Sequence, residues 1–318
     1  MDTLQDMGRH GYQHWGINPG GVMDALSATI ANALTGNDKN EAVIELHFPA
    51  SQFLFRQPAL IAITGADFSA TINSEPIPLL QPVLVNENSL LQFNAVQKGA
   101  RAYLAVHKGF HLTPWLGSCS TNVKIGSGGF KGGALQKEDE VLFNNRVDWR
   151  PFLQNRECRR LPWRAGSRWN AGSGNTIYLL PGNEWNAISP ASQILFTEQS
   201  YVITQQADRM GYALQGEPLS VLLKEELIST AVNFGTLQLL PNGQLMLLAA
   251  DHQTIGGYPR IAHVIRAHHH KIAQAKPGDI LHFRFTDQST AERLYIAQQQ
   301  ALQQLQDACS FKLAEINR

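Results

Sequence analysis

The sequence predicts a mainly β protein built from two barrel-like halves, and three observations carry that prediction. From Ala42 onward, short apolar or alternating runs follow one another (AVIEL, FLF, LIAIT, FSATI, VLV, LLQF, AYLAV), broken by Gly, Pro and Asn. That is the rhythm of strands in a barrel or sandwich. Past Ser173 the same rhythm restarts with TIYLLPG, ILF, YVIT, AVNFGTLQLL, QLMLLAA and DILHFRF. Both halves also close alike, NENSLLQF before RAYLAV and KPGDILHF before ERLYIA, as related repeats would. A length of 318 residues suits two domains with separate cores, placed at 1–172 and 173–318.

Taken in order, the chain opens with polar, glycine-rich sequence, QDMGRHGYQHWGINPGGVMD. Ala25 to Leu34 then spaces apolar residues as a short helix does, and Gly36-Asn37 stops it. The first run of strands leads to GSCSTNVKIGSGGFKGGALQKEDEVLF, whose Gly and Ser density marks a long loop before a last strand. Residues 145–174 carry Arg, Trp, Asn and Gly without periodicity, as a connection between domains would. In the second half Ser289 to Leu313 is helical by its Ala, Gln and Leu content.

Composition narrows the function classes. With 26 basic and 26 acidic residues the chain shows no electrostatic footprint for nucleic acid or an anionic membrane. Cys119, Cys158 and Cys309 are odd in number and have neither zinc-ligand nor redox spacing, which fits a reduced, cytoplasmic setting and no metal site. His268, His269 and His270 cannot all face one way on a helix or strand, so they are read as surface residues.

Four stretches concentrate chemistry. Asp251 to Ala262, DHQTIGGYPRIA, leaves the apolar run Leu245 to Ala250 and holds a carboxylate, an imidazole, an amide, a hydroxyl, two glycines, a phenol and a guanidinium. Gly256 and Gly257 are free to take positive φ and bring backbone N–H groups close to a bound group. A substrate loop and a polar hairpin turn both fit. Ala207 to Tyr212 offers Arg209 as a planar fork for a carboxylate, with Asp208 beside it to hold the fork, or the two as a structural ion pair. Gly117 to Thr121 clusters Ser118, Ser120 and Thr121, which either bind an anion or satisfy turns. Asp6 and Arg9 form a local ion pair, or Arg9 faces an anionic ligand, and Gly20-Gly21 precedes a helix whose N–H groups favour an anion. Cys119 has no adjacent base to activate it as a nucleophile.

QDMGRHGY, NPGGVMD, GADF, RAYLAV, LGSCST, ADRMGY, GTLQLLPNGQ, QTIGGYPRIA and KPGD, in that order, resemble the biotin-dependent carboxyltransferase-like family over nearly the whole chain. The resemblance implies two cyclophilin-like β-barrels with a few short helices and a C-terminal helix. It implies an enzyme that opens the lactam of 5-oxo-L-proline to L-glutamate at the expense of ATP, with ATP used at the level of a complex. The implied partners are a homologous subunit of the 5-oxoprolinase B, kinase-inhibitor-like type and a subunit of the A type. Two alternatives share the resemblance: a carboxyltransferase moving a carboxyl group from carboxybiotin to urea, and a regulatory protein that binds a kinase-inhibitor-like partner. The chain has no Met-Lys-Met sequence and so no covalent biotin of its own.

Lactam, urea and the biotin ureido group all set N–H beside C=O. On that theme Gln253 and the Gly256-Gly257 backbone read the amide, and Tyr258 or Asp251 moves a proton. Arg209, Asp208, Thr254, Ser118, Ser120, Thr121 and Arg9 complete the substrate-binding set. The chain departs from the family at Cys119, where Arg is usual, at Leu240 and Leu245 in place of prolines, at Gly133 in place of Arg and at His268 in place of Asp. Only four residues precede Gln5, so a first barrel short of an edge strand is expected.

Overall fold

A computed structural model describes residues 1–144, 147–166, 176–222 and 227–316. The chain forms two compact units, one of Met1–Arg9, Asp24–Ala171 and Gln299–Arg318, the other of His10–Met23 and Gly172–Gln298. The sequence-based division at 172/173 lies outside the described residues. The units also exchange segments that the division kept whole, since the loop His10–Met23 and the chain from Gln299 each belong to the other half's unit.

In the first unit the strands are β1 (Thr3–Gln5), β2 (Val43–His47), β3 (Phe53–Leu54), β4 (Ala59–Asp67), β5 (Ala70–Ile72), β6 (Glu75–Pro76), β7 (Val83–Val85), β8 (Leu90–Phe93), β9 (Lys98–Val106) and β10 (Cys158–Arg160). They make a six-stranded sheet, β1-β2-β9-β4-β7-β10, and a four-stranded sheet, β3-β8-β5-β6. The two sheets share one apolar core, with Leu4, Leu46, Ile61, Ile63 and Leu104 from the first meeting Ile72 and Leu91 from the second. Helices α1 (Ala25–Thr35) and α2 (Arg150–Leu153) belong to this unit.

Strand β1 corrects the expected missing edge. Its three residues are buried and pair antiparallel with β2. The loop after β9 covers its other side, where Thr121 N–H donates to the Leu4 carbonyl at 2.9 Å, so little unpaired edge remains. Residues 147–166 are likewise more than a connection, because β10 pairs with β7 and Trp149 is fully buried.

In the second unit β11 (Thr176–Pro181), β12 (Ser200–Ala207), β13 (Gly211–Gln215), β15 (Thr236–Leu239), β16 (Leu245–Leu248), β18 (Arg260–Val264) and β19 (Ile280–Phe285) close a barrel in the order β11-β18-β15-β16-β13-β12-β19. A small ribbon of β14 (Thr230–Ala231) and β17 (Ile255–Gly256) stands outside it. Alternation selects the core: Tyr201, Ile203, Leu237, Leu239, Leu281 and Phe283 point inward, while Val202, Ile280 and His282 are exposed. The run ILF lies in helix α3 (Pro190–Glu198), not in a strand. Ser189 accepts the Ser192 N–H and Pro190 takes the first turn, and these two local signals outweigh three β-favouring residues.

The histidine run also differs from its reading as surface. It starts α4 (His269–Ala273), where His268 Nδ1 accepts the Tyr178 N–H at 2.9 Å and His269 packs edge-on against Phe234 at 4.5 Å. The last helix, α5 (Gln288–Ile316), buries Leu302, Cys309 and Leu313. The chain is therefore mainly β, with short helices and one C-terminal helix, as the sequence predicts. No described helix is long and apolar enough to cross a membrane.

Candidate functional site

The second unit brings three of the sequence motifs to one side chain. Arg209 follows β12 and its guanidinium lies against the Asp251 carboxylate, Nε to Oδ2 at 2.8 Å and Nη2 to Oδ1 at 3.1 Å. Nη2 also donates to the Gly21 carbonyl, and the Asp251 N–H donates to the Arg209 carbonyl at 2.7 Å. A fork held on both prongs by a carboxylate is a brace between loops. This corrects two expectations. The fork is engaged by Asp251, not by Asp208, whose Oδ1 instead accepts the N–H groups of Met210 and Gly211 in a tight turn. Both Asp251 oxygens, expected to move a proton, are instead taken up by the guanidinium.

Arg260 is committed in the same way. Glu184 takes its Nε at 3.0 Å, its Nη2 at 2.8 Å and its backbone N–H at 2.9 Å. Burial works to raise the Glu184 carboxyl, but the hydrogen bonds and charge of Arg260 win and hold it below the usual range. These two ion pairs fix both ends of the stretch between them.

Between the braces lie the groups that face outward. Gln253 is exposed, and its Nε2 reaches Gln238 Oε1 at 3.4 Å. Thr254 is half-buried and uses its carbonyl to accept the Val232 N–H. Tyr258 is 46% exposed. Gly256 pairs with Thr230 in the ribbon, and neither Gly256 nor Gly257 takes positive φ, contrary to expectation. Gly256 is needed for close approach: a Cβ there would lie 2.4 Å from Gln238 Nε2.

Two residues here receive no role from the sequence. Gln238 sits among leucines in LQLL and reads as one polar step in a strand. His252 is buried, and its Nδ1 lies 2.5 Å from the Gln253 carbonyl. A carbonyl only accepts, so Nδ1 carries the proton and Nε2 the lone pair. Burial lowers the His252 pKa against the pull of that hydrogen bond and of Asp251, leaving a neutral imidazole beside the brace. The signal in sequence is its place between Asp251 and Gln253.

The remaining predicted residues fall in the first unit and are turned inward. The Asp6 carboxylate accepts from Ser118 Oγ at 2.6 Å, Ser120 Oγ at 2.6 Å, Cys119 N at 2.5 Å and Gly8 N at 2.8 Å. Thr121 Oγ1 donates to the Leu4 carbonyl. Arg9, 1% exposed, donates to the Ser120 carbonyl and lies 4.8 Å over the Trp115 ring. Those hydroxyl protons are spent on the fold, so Ser118, Ser120 and Thr121 are loop scaffold where an anion site was expected. Burial and then the Asp6 charge push the Cys119 thiol up to about 11, which keeps it protonated and unreactive.

Neither expected anion cradle fits a nucleotide phosphate. The N-terminus of α1 is capped by Asp24, which accepts Ser27 N at 2.9 Å. In the glycine-rich loop, Gly132 N bonds Gly128 O, Gly133 N bonds Phe130 O, and a Cβ on Gly129 would strike Thr121. Those glycines serve a self-bonded turn.

The mainly β chain with its closed barrel is matched by a family model and by known relatives. The chain belongs to the carboxyltransferase domain family, subdomain A and B, which matches residues 15–285. It is similar to the 5-oxoprolinase C-type subunit of Escherichia coli, 34% identical over 88% of this chain and 87% of that one. The same protein of Haemophilus influenzae is 32% identical over 92% and 90%. The urea carboxylase of Kluyveromyces lactis has the same fold, with a TM-score of 0.86 at 24% identity, over 96% of this chain and 28% of that one.

Proposed function

We propose that this chain is a subunit of an ATP-dependent 5-oxoprolinase that opens the lactam of 5-oxo-L-proline to L-glutamate in the cytoplasm together with partner subunits. The observation that carries the reading is the pair of relatives named as the C-type subunit of 5-oxoprolinase, similar across about nine tenths of the chain at 34% and 32% identity. The geometry supports it through the exposed Gln253 and Tyr258, held between two ion pairs as a lactam-binding loop requires. Gln253 meets the lactam amide, Tyr258 or the neutral His252 moves the proton, and the Arg209–Asp251 pair holds the loop in shape. Neither the α1 N-terminus nor the glycine-rich loop is shaped as a phosphate cradle, which suits ATP being used at the level of the complex.

The test is ATP-dependent glutamate release from 5-oxo-L-proline by this chain purified with its partner subunits, and with each subunit omitted in turn. Release that requires this chain supports the reading. A stable complex that releases no glutamate overturns it and favours a regulatory role.

A further inference from the structure

The strand orders of the first unit leave β10 at one edge of the six-stranded sheet and β6 at one edge of the four-stranded sheet. The two edges line one cleft of about 580 Å³, with Glu75 and Pro76 on one side and Arg156 to Arg160 on the other. That volume is within the range of ligand clefts, about 300–1,000 Å³. Asn86 N–H donates to the Glu157 carbonyl at 2.9 Å and Leu161 N–H to the Pro82 carbonyl at 3.0 Å, so residues 157, 159 and 161 turn their main chain to β7. In an antiparallel pair the alternate residues face the other way, which leaves the N–H and C=O of Cys158 and Arg160 unpaired by any described strand.

The side chains around that edge are mostly cationic. Arg159 Nη1 donates to the Phe152 carbonyl at 2.7 Å and Arg160 Nη2 to the Pro76 carbonyl at 2.8 Å, and each keeps further N–H groups to offer. Arg156 is exposed, and no described residue holds its guanidinium. Of the two acids in the walls, Glu157 accepts the Asn73 amide at 2.8 Å, and Glu75 stands on the β6 side. Cys158 packs against the core between the sheets. Burial, then the Glu75 charge, push its thiol up, so it serves as a small apolar floor and not as a nucleophile. Three guanidinium groups on one edge work against pairing with the same edge of a second copy. They suit a strand of opposite charge.

We propose that the cleft between β10 and β6 takes an extended acidic segment of a partner polypeptide. The segment adds to the open edge of β10, exchanges main-chain hydrogen bonds with Cys158 and Arg160, and sets Asp or Glu side chains against Arg156 and the spare N–H groups of Arg160. Three residues of β10 span roughly 10 Å and match a segment of about the same length. Main-chain pairing supplies affinity, and the arginines select acidic strands over basic ones. This surface lies wholly within the first unit and does not depend on the lactam reading.

The experiment titrates the full chain into a fluorescein-labelled peptide, Thr-Val-Glu-Val-Glu-Thr, and follows anisotropy, with amide exchange of the chain measured with and without the peptide. The acidic peptide should bind, and its counterpart with Lys for Glu should bind at least about tenfold more weakly. Arg156→Glu should weaken the acidic peptide about tenfold and leave Tm unchanged, because Arg156 is exposed. Exchange should slow at the Cys158 and Arg160 amides, and a peptide N-methylated along its backbone should not bind. An N-methylated peptide that binds as well as its parent, or unchanged exchange at Cys158 and Arg160, overturns strand addition and leaves only an anion site, which glutarate or inorganic phosphate would then also fill. Absence of binding by the acidic peptide, or equal binding of the acidic and basic peptides, overturns the proposal altogether.

Discussion

Arg209 and Asp251 are separated by 42 positions in the chain, and each has a charged or titratable neighbour closer in sequence. The sequence shows Arg209 as a functional-looking fork but not its partner, because adjacency favours Asp208 and only the pairing of β13 with β16 brings Asp251 round. Both groups are largely buried, at 9% and 17% side-chain exposure, so breaking the pair leaves a poorly solvated charge. Asp251→Asn should therefore cost about 3 kcal/mol in urea unfolding. Arg209→Lys keeps the charge, loses the fork and should cost less. A double-mutant cycle with no coupling between the two positions would remove the brace. Tyr258 is legible for the opposite reason, as an exposed phenol in a glycine-rich motif. Tyr258→Phe should lower kcat about 100-fold with KM unchanged if the phenol moves the proton. Unaltered kcat assigns that step to His252.

Elements are legible where one face meets water and obscure where both are covered. Strand β19 alternates buried and exposed residues, and DILHFRF shows it. In β15 all four residues are buried, so alternation survives only as a chemical distinction, leucine inward and Thr236 and Gln238 outward. The histidine run misleads because a connection at the end of a barrel strand can be packed without periodicity. Its titration gives an element-scale prediction. Burial, then Lys271 and His270, lowers the His268 pKa to about 4, while the unfolded chain titrates near about 6.5. Stability is fully present above the unfolded value and is lost as pH falls toward 4, because the unfolded chain takes up a proton that the folded one refuses. Protonation at Nδ1 would also break the hydrogen bond it accepts from the Tyr178 N–H. His268→Gln keeps an acceptor without the titration. Its urea midpoint should fall less than that of wild type between pH 7.5 and 5, and equal slopes would exclude His268 as the source.

At the scale of the whole molecule, each unit owns a core, yet chain order does not divide them cleanly. The C-terminal helix is visible in sequence, but its destination is not, because Ala, Gln and Leu spacing specifies a buried stripe without naming what covers it. In the first unit, β4 is buried on both faces: Ile61 and Ile63 enter the core between the sheets, whereas Ala62 meets α1 and Leu302, and Leu60 meets Trp149 and Leu313. The end of α5 is therefore part of that unit's packing. Gly36 records the same fit, since it ends α1 at φ 71° and a Cβ there would strike Leu313. Leu313→Ala should remove about 2–4 kcal/mol by opening a cavity beneath Trp149 and Leu60. Amide exchange should then quicken in α1 and β4, the elements that α5 covers, while β15 and β16 in the barrel of the other unit stay protected. Uniform quickening across both units would show instead that the molecule unfolds as one cooperative body.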